Sequence, residues 1–191
     1  CKGGPLAVRP LFIPKLTGDI APGHIAIKYG FMGLNYATVS ACASSANALA
    51  DSLNYIRLGH CDIIVAGGSE AGVNIAGMSG FSAMRALSTR NDSPSTASRP
   101  FDATRDGFVL GEGSGTLILE EYEHAKARGA KIYAELIGAG LSCDAYHITA
   151  PHPEGSGVKA VIRNCLNDAK IKANEIDAIN THGTSTPLGD V

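Results

Sequence analysis

The sequence predicts an α/β protein with a largely parallel sheet that helices cover on both faces. Three observations support this prediction. Short apolar runs of strand length alternate along the chain with amphipathic runs of helix length. Hydrophobic residues make up 45% of the 191 residues and charged residues only 18%, which suits a packed core. The 23 glycines and 9 prolines are scattered, without the period of a fibrous protein or the runs of a linker.

The helices are predicted from apolar residues that recur at spacings of three and four, often with a glycine directly afterwards. Prolines restrict residues 2–23 to loops and short strands, so the first helix is expected only to end within residues 25–29. The other predicted helices cover residues 43–58, 80–87, 120–128 and 157–169. Glycines that stop a helix are expected at Gly30, Gly59 and Gly129.

The strands are predicted from alternation or from short, continuous apolar runs. They cover residues 34–39, 62–66, 115–119, 132–139 and 176–180. Residues 62–66 and 115–119 are short and mainly apolar, which is typical of strands buried on both faces of a sheet.

The charge and cysteine content exclude several classes of protein. With 16 Lys and Arg against 18 Asp and Glu, the chain lacks the basic excess of a nucleic-acid-binding protein. The five cysteines form no CxxC pair, so neither a zinc ribbon nor a disulfide framework is indicated. No apolar run reaches the roughly 18 residues of a membrane span. We therefore expect a protein of a reducing compartment that binds neither nucleic acid nor a membrane.

Two weaker motifs indicate neither a cofactor nor a metal. The GEGSG segment at 111–115 precedes a predicted strand, whereas a dinucleotide loop follows one. His147, His152 and Glu154 lie in a loop rich in Pro and Gly and lack the spacing of metal ligands. We expect no cofactor and no bound metal.

Cys42 lies in the segment VSACASSA at 39–46, between a predicted strand and a predicted helix. A thiolate at this turn faces unpaired backbone N–H groups and the positive end of the helix dipole, as a nucleophile requires. The small neighbours leave room for an acyl group. A buried cysteine that acts as a small hydrophobic side chain explains the same segment, and it is the commoner case.

His182 follows a predicted buried strand and precedes a run of glycine and hydroxyl residues, HGTSTP at 182–187. Open α/β sheets place their ligands at this edge. A polar turn whose histidine bonds to a nearby carbonyl explains the segment equally well. Cys42 and His182 together, each at a strand end, favour a nucleophile with an imidazole beside it.

Six segments together resemble one family, in order along essentially the whole chain. They are SACAS at 40–44, VAGGSE at 65–70, RALS at 85–88, SRPFD at 98–102, DGFVLGEG at 106–113 and HGTSTPLGD at 182–190. The family is the β-ketoacyl-acyl carrier protein synthases, of the elongating type called synthase II. Ser40 stands where that family usually has Thr. The resemblance implies a decarboxylative Claisen condensation of malonyl-acyl carrier protein with a cysteine-bound acyl chain in fatty acid elongation.

The resemblance also implies a role for each matched residue. Cys42 would be the acylated nucleophile, and His182 would be the first of two histidines that handle the malonyl group. The remaining matches are Thr184 and Thr186 on the pantetheine arm, Phe108 at the entrance, Phe81 and Phe12 along the acyl pocket, and Arg85 where the carrier protein docks. The SRPFD segment and the following Arg-Asp pair are expected to form a loop tied by ion pairs and buried aromatics.

The implied fold is thiolase-like, with mixed sheets and helices in five αβαβα layers of the full-length protein. Residues 1–120 would form the later part of the N-terminal half, and residues 121–191 the start of the C-terminal half. The chain would then be an internal piece without the family's lysine, second histidine and glycine-rich loop. We expect it to be incomplete for catalysis by itself.

The resemblance implies acyl carrier protein as partner, a homodimer, and a cytoplasmic or organellar (matrix or stroma) location, with the cytoplasm favoured. A polyketide-type ketosynthase shares the Cys and His chemistry and is one alternative. A non-catalytic partner resembling a chain-length factor is another, although such partners lack the nucleophile. A degradative thiolase lacks the HGTSTP segment.

Overall fold

A computed structural model describes residues 8–190. Its helices and strands, in chain order, are α1 (Ile20–Tyr29), α2 (Ser44–Arg57), β1 (Ile63–Ala71), α3 (Ile75–Ala83), β2 (Glu112–Glu120), α4 (Tyr122–Ala127) and α5 (Ser156–Ala169). Short 3-10 turns occur at Ala41–Ala43, Pro94–Thr96 and Ala173–Glu175. None of the helices described is long and apolar enough to cross a lipid bilayer.

The centre of the fold is helix α2 packed on an antiparallel pair of strands. β1 and β2 pair from Ile63 opposite Glu120 to Ala71 opposite Glu112, and α2 contacts β1. The close approach depends on Gly68, where an added Cβ would lie 2.7 Å from Cβ of Ser45. The strand therefore fixes the N-terminal end of α2, close to Cys42.

The predicted helices are all present, with shifted ends. α1 begins at Ile20 although Pro22 lies in its first turn, because the first N–H groups of a helix have no acceptor within it. α3 begins and ends several residues before the predicted 80–87. Gly30, Gly59 and Gly129 have φ values of 70°, 71° and 68°, as expected of glycines that end helices.

The strand predictions are confirmed only in part. β1 and β2 contain the predicted 62–66 and 115–119 segments almost completely, but most of their residues are exposed and only Ala66 is buried. The two strands also run antiparallel, so the expectation of a largely parallel sheet is wrong for this pair. Residues 34–39, 132–139 and 176–180 form no ladder with another described segment. A strand needs a neighbour for its backbone hydrogen bonds, and alternation of side chains does not supply one.

The buried core is small for a chain of this length. The buried apolar residues among those described are Ala50, Leu53, Ala66, Ala97 and Ala125. The accessible surface is 14489 Å², against about 8,600 Å² for a compact protein of the same mass. Many large apolar side chains of the described residues are therefore exposed. Residues 2–7, part of the first predicted loop region, lie outside the described residues.

An ion pair fastens α2 to α5. The Arg57 guanidinium contacts both carboxylate oxygens of Asp168 at 2.9 and 3.0 Å and donates to the carbonyl of Ile137 at 2.7 Å. Asp168 also accepts from the backbone N–H of Ala139, and this bond and Arg57 lower the pKa of its carboxyl. This ion pair joins α2 to α5, the last α-helix before His182.

Candidate active site

Cys42 is the middle residue of the 3-10 turn that leads into α2, and its side chain is exposed. The preceding Ala41 has a φ of 49°, in the left-handed region that residues with a Cβ rarely adopt. No side chain caps the N-terminus of α2. The expected turn directly before a helix is confirmed for Cys42, but the strand expected before it, residues 34–39, forms no ladder with a described segment. The exposure of Cys42 argues against a buried structural cysteine within this unit.

Short-range hydrogen bonds hold the Cys42 turn. The Ser44 hydroxyl accepts from the N–H of Ser40 at 2.9 Å and donates to the carbonyl of Ala41 at 2.8 Å. The Thr38 hydroxyl donates to the Ser44 carbonyl at 2.6 Å, and the Asn47 amide donates to the Ser40 hydroxyl at 2.6 Å. These bonds stabilise the strained Ala41 conformation from within a ten-residue segment.

Residues 182–190, the His182 loop, are organised around the fully buried Ser185. Its hydroxyl accepts from the N–H of Arg99 at 3.1 Å, and its carbonyl accepts from the N–H of Gly107 at 2.9 Å. Its own N–H donates to Oδ2 of Asp190 at 2.9 Å. Ser185 thereby links the loop to residues far away in sequence, while the His182 side chain is exposed.

Asp190 closes the His182 loop. It is 5% exposed, and its Oδ2 atom also accepts from the N–H of Phe101 at 2.9 Å. Its other carboxylate oxygen has no hydrogen-bond partner among residues 8–190. The carboxylate therefore joins the C-terminal end of the loop to Ser185 in its middle and to the segment that contains Phe101.

Thr184 and Thr186 face each other across the His182 loop. Their hydroxyl oxygens are 3.0 Å apart, and the Thr186 hydroxyl accepts from the N–H of Gly189 at 3.1 Å. A Cβ at Gly189 would lie 2.5 Å from the Thr186 hydroxyl and 3.1 Å from that of Thr184. The glycine therefore leaves room for the hydroxyl pair.

Phe108 lies directly beyond the segment that binds Ser185. Its N–H donates to the carbonyl of Ala86, and its carbonyl accepts from the N–H of Ser88. Its ring packs edge-on against that of Phe81, with centroids 5.2 Å apart. The structure thus brings together Phe108, which the resemblance places at the active-site entrance, and Phe81, which it places along the acyl pocket.

Asp106 anchors the segment before Phe108. It accepts from the Ser88 hydroxyl at 2.6 Å and from the N–H of Thr89 at 3.0 Å, and it pairs with the Arg99 guanidinium at 2.9 Å. These bonds, the one from Ser88 foremost, hold the pKa of the Asp106 carboxyl far below its usual range. The expected ion pair in this loop is present. The expected burial of its aromatic residue is wrong within this unit, because Phe101 is 58% exposed.

The other predicted site residues lie apart from these contacts. Phe12 is 49% exposed in the turn region before α1, and Arg85 is exposed just after α3 with a φ of 55°. No hydrogen bond joins the Cys42 turn to the His182 loop among the residues described. Each half of the site is therefore held by its own surroundings.

The histidines set aside in the sequence are occupied in local turns. Nδ1 of His147 accepts from the N–H groups of Thr149 and Ala150, and Nδ1 of His152 accepts from that of Glu154. Over residues 8–190, no group of His, Cys, Asp or Glu has the arrangement of a metal site.

Sequence reasoning missed Arg105 and gave no individual role to Ser185 or Asp190. Ser185 and Asp190 stood inside the HGTSTPLGD segment, but nothing in a sequence distinguishes a buried serine from the threonines beside it. The sequence predicts for Arg105 only a place in an ion-paired loop, yet its three side-chain nitrogens all donate to backbone carbonyls.

Two family profiles match the chain. Residues 2–125 match the beta-ketoacyl synthase N-terminal domain, and residues 133–191 match the beta-ketoacyl synthase C-terminal domain. The chain is 53% identical over 184 residues to a mitochondrial 3-oxoacyl-[acyl-carrier-protein] synthase of Arabidopsis thaliana, covering 96% of this chain and 40% of the relative. It is 50% identical over 188 residues to 3-oxoacyl-[acyl-carrier-protein] synthase 2 of Synechocystis, covering 98% and 45%.

Solved structures agree in fold. A ketosynthase in complex with its type II polyketide acyl-carrier protein superposes with a TM-score of 0.93 at 38% identity, over 97% of this chain and 46% of that one. A β-ketoacyl synthase from Burkholderia phymatum gives 0.86 at 42% identity, over 91% and 42%. The fold is therefore part of the thiolase-like ketosynthase fold. The chain spans less than half the length of the curated relatives it matches. With both family profiles matched in order along its length, the chain belongs to the β-ketoacyl synthase family.

Proposed function

We propose that this chain is the part of a 3-oxoacyl-[acyl-carrier-protein] synthase that contains the nucleophile and the first catalytic histidine. One observation carries the proposal: an exposed Cys42 lies on a hydrogen-bonded, strained turn at the start of α2. The 48–53% identity to relatives with that name supports the activity. The matched residues keep the roles that the resemblance implies. They are Cys42, His182, Thr184, Thr186, Phe108, Phe81, Phe12 and Arg85.

In the first step, the Cys42 thiolate attacks the thioester carbonyl of an acyl carrier protein. A new S–C bond forms on Cys42, and the carrier's pantetheine sulfur leaves and takes a proton. Backbone N–H groups at the start of α2 are suited to hold the oxyanion that develops, because α2 has no capping side chain. The chain now carries an acyl thioester.

In the second step, malonyl carrier protein loses CO₂, and the bonding electrons form an enolate on its thioester. An imidazole N–H of His182 stabilises the enolate oxygen. The enolate carbon attacks the Cys42 thioester, the S–C bond breaks, and a proton restores the thiol. The products are CO₂ and a 3-oxoacyl chain longer by two carbons.

Carrier binding follows from the same set of residues. The Thr184 and Thr186 hydroxyls, 3.0 Å apart and half-buried, offer the pantetheine arm two polar contacts next to His182. The exposed Arg85 provides positive charge for an acidic carrier protein. We propose a homodimer, in which Phe12 reaches the acyl pocket of the other subunit. We propose a cytoplasmic location, with an organellar matrix or stroma as the alternative. The alternative is supported by relatives whose names give a mitochondrial location.

A polyketide-type ketosynthase is the second candidate, supported by the TM-score of 0.93 to a ketosynthase bound to a hexaketide. Sequence identity favours the first candidate, at 53% to a 3-oxoacyl synthase against 38% to that ketosynthase. The two activities share the loading of Cys42 and differ in whether the product is reduced before the next extension.

The test uses a full-length protein that contains this chain, incubated with a long-chain acyl carrier protein and then with malonyl carrier protein. Intact mass spectrometry should show one acyl group on the wild type, none on Cys42→Ala, and then a 3-oxoacyl carrier with two more carbons. Cys143→Ala is the matched control, because Cys143 is also exposed and free.

Acyl loading that persists in Cys42→Ala would disprove the role of Cys42 as the nucleophile. A folded wild type that takes up no acyl group would favour the non-catalytic partner. Repeated extension of the unreduced product would favour the polyketide-type enzyme.

A further inference from the structure

All side-chain hydrogen bonds of Arg105 to described residues go to backbone carbonyls. Its Nε donates to the carbonyl of Thr186 at 2.9 Å, and its two terminal nitrogens donate to Pro187 at 2.8 Å and Asp102 at 3.0 Å. It pairs with no carboxylate among the described residues, whereas the nearby Arg99 pairs with Asp106. A half-buried guanidinium used in this way fixes the course of the main chain.

The two carbonyls of Thr186 and Pro187 belong to the His182 loop. Three backbone N–H groups from residues 99–107 also bond to that loop, those of Arg99 and Gly107 to Ser185 and that of Phe101 to Asp190. Within the described part of the chain, Arg105 is the one residue of 99–107 whose side chain hydrogen-bonds to this loop, while the side chains of Pro100 and Phe101 lie near Gly183. Removal of the Arg105 side chain therefore weakens the contact and leaves the backbone bonds chemically possible.

Thr186 is consequently held from two sides. Arg105 holds its carbonyl, and the N–H of Gly189 holds its hydroxyl, which faces Thr184 at 3.0 Å. Gly107, two residues after Arg105, bonds to Ser185 and precedes Phe108. The same short segment thus sets both the hydroxyl pair and the entrance aromatic.

We propose that Arg105 is a positioning residue that holds the His182 loop, with its Thr184–Thr186 hydroxyl pair, in register with Phe108. The expected effect on the malonyl step rests on the proposed function. The expected effect on the His182 loop rests on the geometry alone. Loss of Arg105 loosens residues 182–190 and leaves the Cys42 turn unchanged, because none of the bonds of that turn involves residues 99–107. The malonyl step therefore slows while loading of Cys42 at saturating carrier proceeds normally.

The test compares Arg105→Met, which keeps the bulk of the side chain and removes its donors, with Arg105→Lys in the full-length protein. Arg163→Met is the control, because Arg163 is exposed and makes no side-chain hydrogen bond to another described residue. Amide hydrogen exchange is followed in peptides covering residues 180–190 and 44–57. We expect exchange in 180–190 to rise at least about tenfold in Arg105→Met, less in Arg105→Lys and not in the control, with 44–57 unchanged.

The catalytic readout is the split between two rates. CO₂ release from malonyl carrier should fall by about 10- to 100-fold in kcat for Arg105→Met, since small misplacements of catalytic groups have effects of that size. Loading of Cys42 at saturating acyl carrier should stay within about twofold, and Arg105→Lys should recover part of the CO₂ release.

Unchanged exchange in 180–190, or an equal rise in 44–57, would overturn the positioning role. An equal fall of both rates would do the same. A wild type that releases no CO₂ would contradict the proposed function, while the exchange measurement would still decide the role of Arg105.

Discussion

The Cys42 turn and the His182 loop are held in opposite ways. Each side-chain bond that holds the Cys42 turn joins residues at most seven positions apart. The bonds that fix Ser185, Thr186 and Asp190 to residues 99–107 span about 80 to 90 positions. The hydrogen bonds of the Cys42 turn thus stay within its own segment, which β1 contacts through packing at Ser45, whereas the His182 loop is bonded to a distant loop. The Cys42 turn should tolerate changes in residues 99–107 that displace the His182 loop.

The largest expected effect is on the His182 loop through Gly107. Its φ is 149°, and an added Cβ would lie 2.5 to 2.6 Å from backbone atoms of Ala86, Leu87 and Ser88. Gly107→Ala should lower the free energy of unfolding by about 3 kcal/mol or more, from backbone strain and overlap together. Urea unfolding of the full-length protein measures this loss.

Gly23→Ala is the matched control for Gly107→Ala. Gly23 lies in α1 without a positive φ, and its added Cβ meets no atom within 4 Å. This variant should be neutral or more stable by up to about 1 kcal/mol. A Gly107→Ala protein as stable as the wild type would show that the backbone of residues 86–88 can shift at little cost. The His182 loop would then not depend on the close approach at Gly107.

A smaller effect is expected from Ser44→Ala in the Cys42 turn. The change removes the two bonds by which the Ser44 hydroxyl holds the backbone of Ser40 and Ala41. It should lower the free energy of unfolding by about 1–2 kcal/mol. Loading of Cys42 by an acyl carrier should slow, while hydrogen exchange in residues 182–190 should stay at the wild-type rate.

Ser45→Ala provides the comparison, because the neighbouring Ser45 makes no side-chain hydrogen bond to a described residue and contacts Gly68 through its Cβ, which alanine keeps. Loading rates should match the wild type there. Slower loading in Ser45→Ala and not in Ser44→Ala would remove the support for the Ser44 bonds as the device that shapes this turn.

The smallest effect is expected at Glu120, a locally held group outside both regions. Arg128 bonds to its two oxygens at 2.6 and 2.7 Å and His124 to one at 2.6 Å, and these partners lower the pKa of its carboxyl from 4.5 to about 2. A lowered pKa adds stability above pH 4.5 that is lost as the pH falls towards 2. The difference in urea midpoint between wild type and Glu120→Gln should shrink over that interval.

That pH dependence should leave both halves of the site alone. Cys42 loading by Glu120→Gln at pH 7 should equal that of the wild type, with Glu123→Gln as a control for loss of an exposed charge on α4, the helix that follows β2. A midpoint difference that stays constant from pH 6 to pH 2.5 would contradict the lowered pKa.

The sequence predicted the locally determined parts of this molecule and missed the rest for a physical reason. The α2 helix, its Gly59 and the position of Cys42 follow from spacings within about 20 residues. Residues 34–39 alternate like a strand, yet no described segment pairs with them, and pairing is a property of two segments. The direction of the β1–β2 pair was missed for the same reason.

The functional residues divide along the same line. Cys42 and His182 can be singled out because each lies beside a predicted strand in its own local segment, and the threonine pair follows from the resemblance. Arg105 and Ser185 act through backbone partners about 80 positions away, and no local pattern records such a partner. The exposed Phe101 shows the converse, because the sequence predicts a buried aromatic residue in this loop and the structure exposes it.

The most direct test of two independently held catalytic groups is to measure both half-reactions in two variants of the full-length protein. Cys42→Ala should take up no acyl group and still release CO₂ from malonyl carrier protein. His182→Ala should load Cys42 at a near-normal rate and release CO₂ at least about 100-fold more slowly. Loss of loading in His182→Ala, or loss of CO₂ release in Cys42→Ala, would contradict the division of the site into a locally held nucleophile and a remotely held histidine.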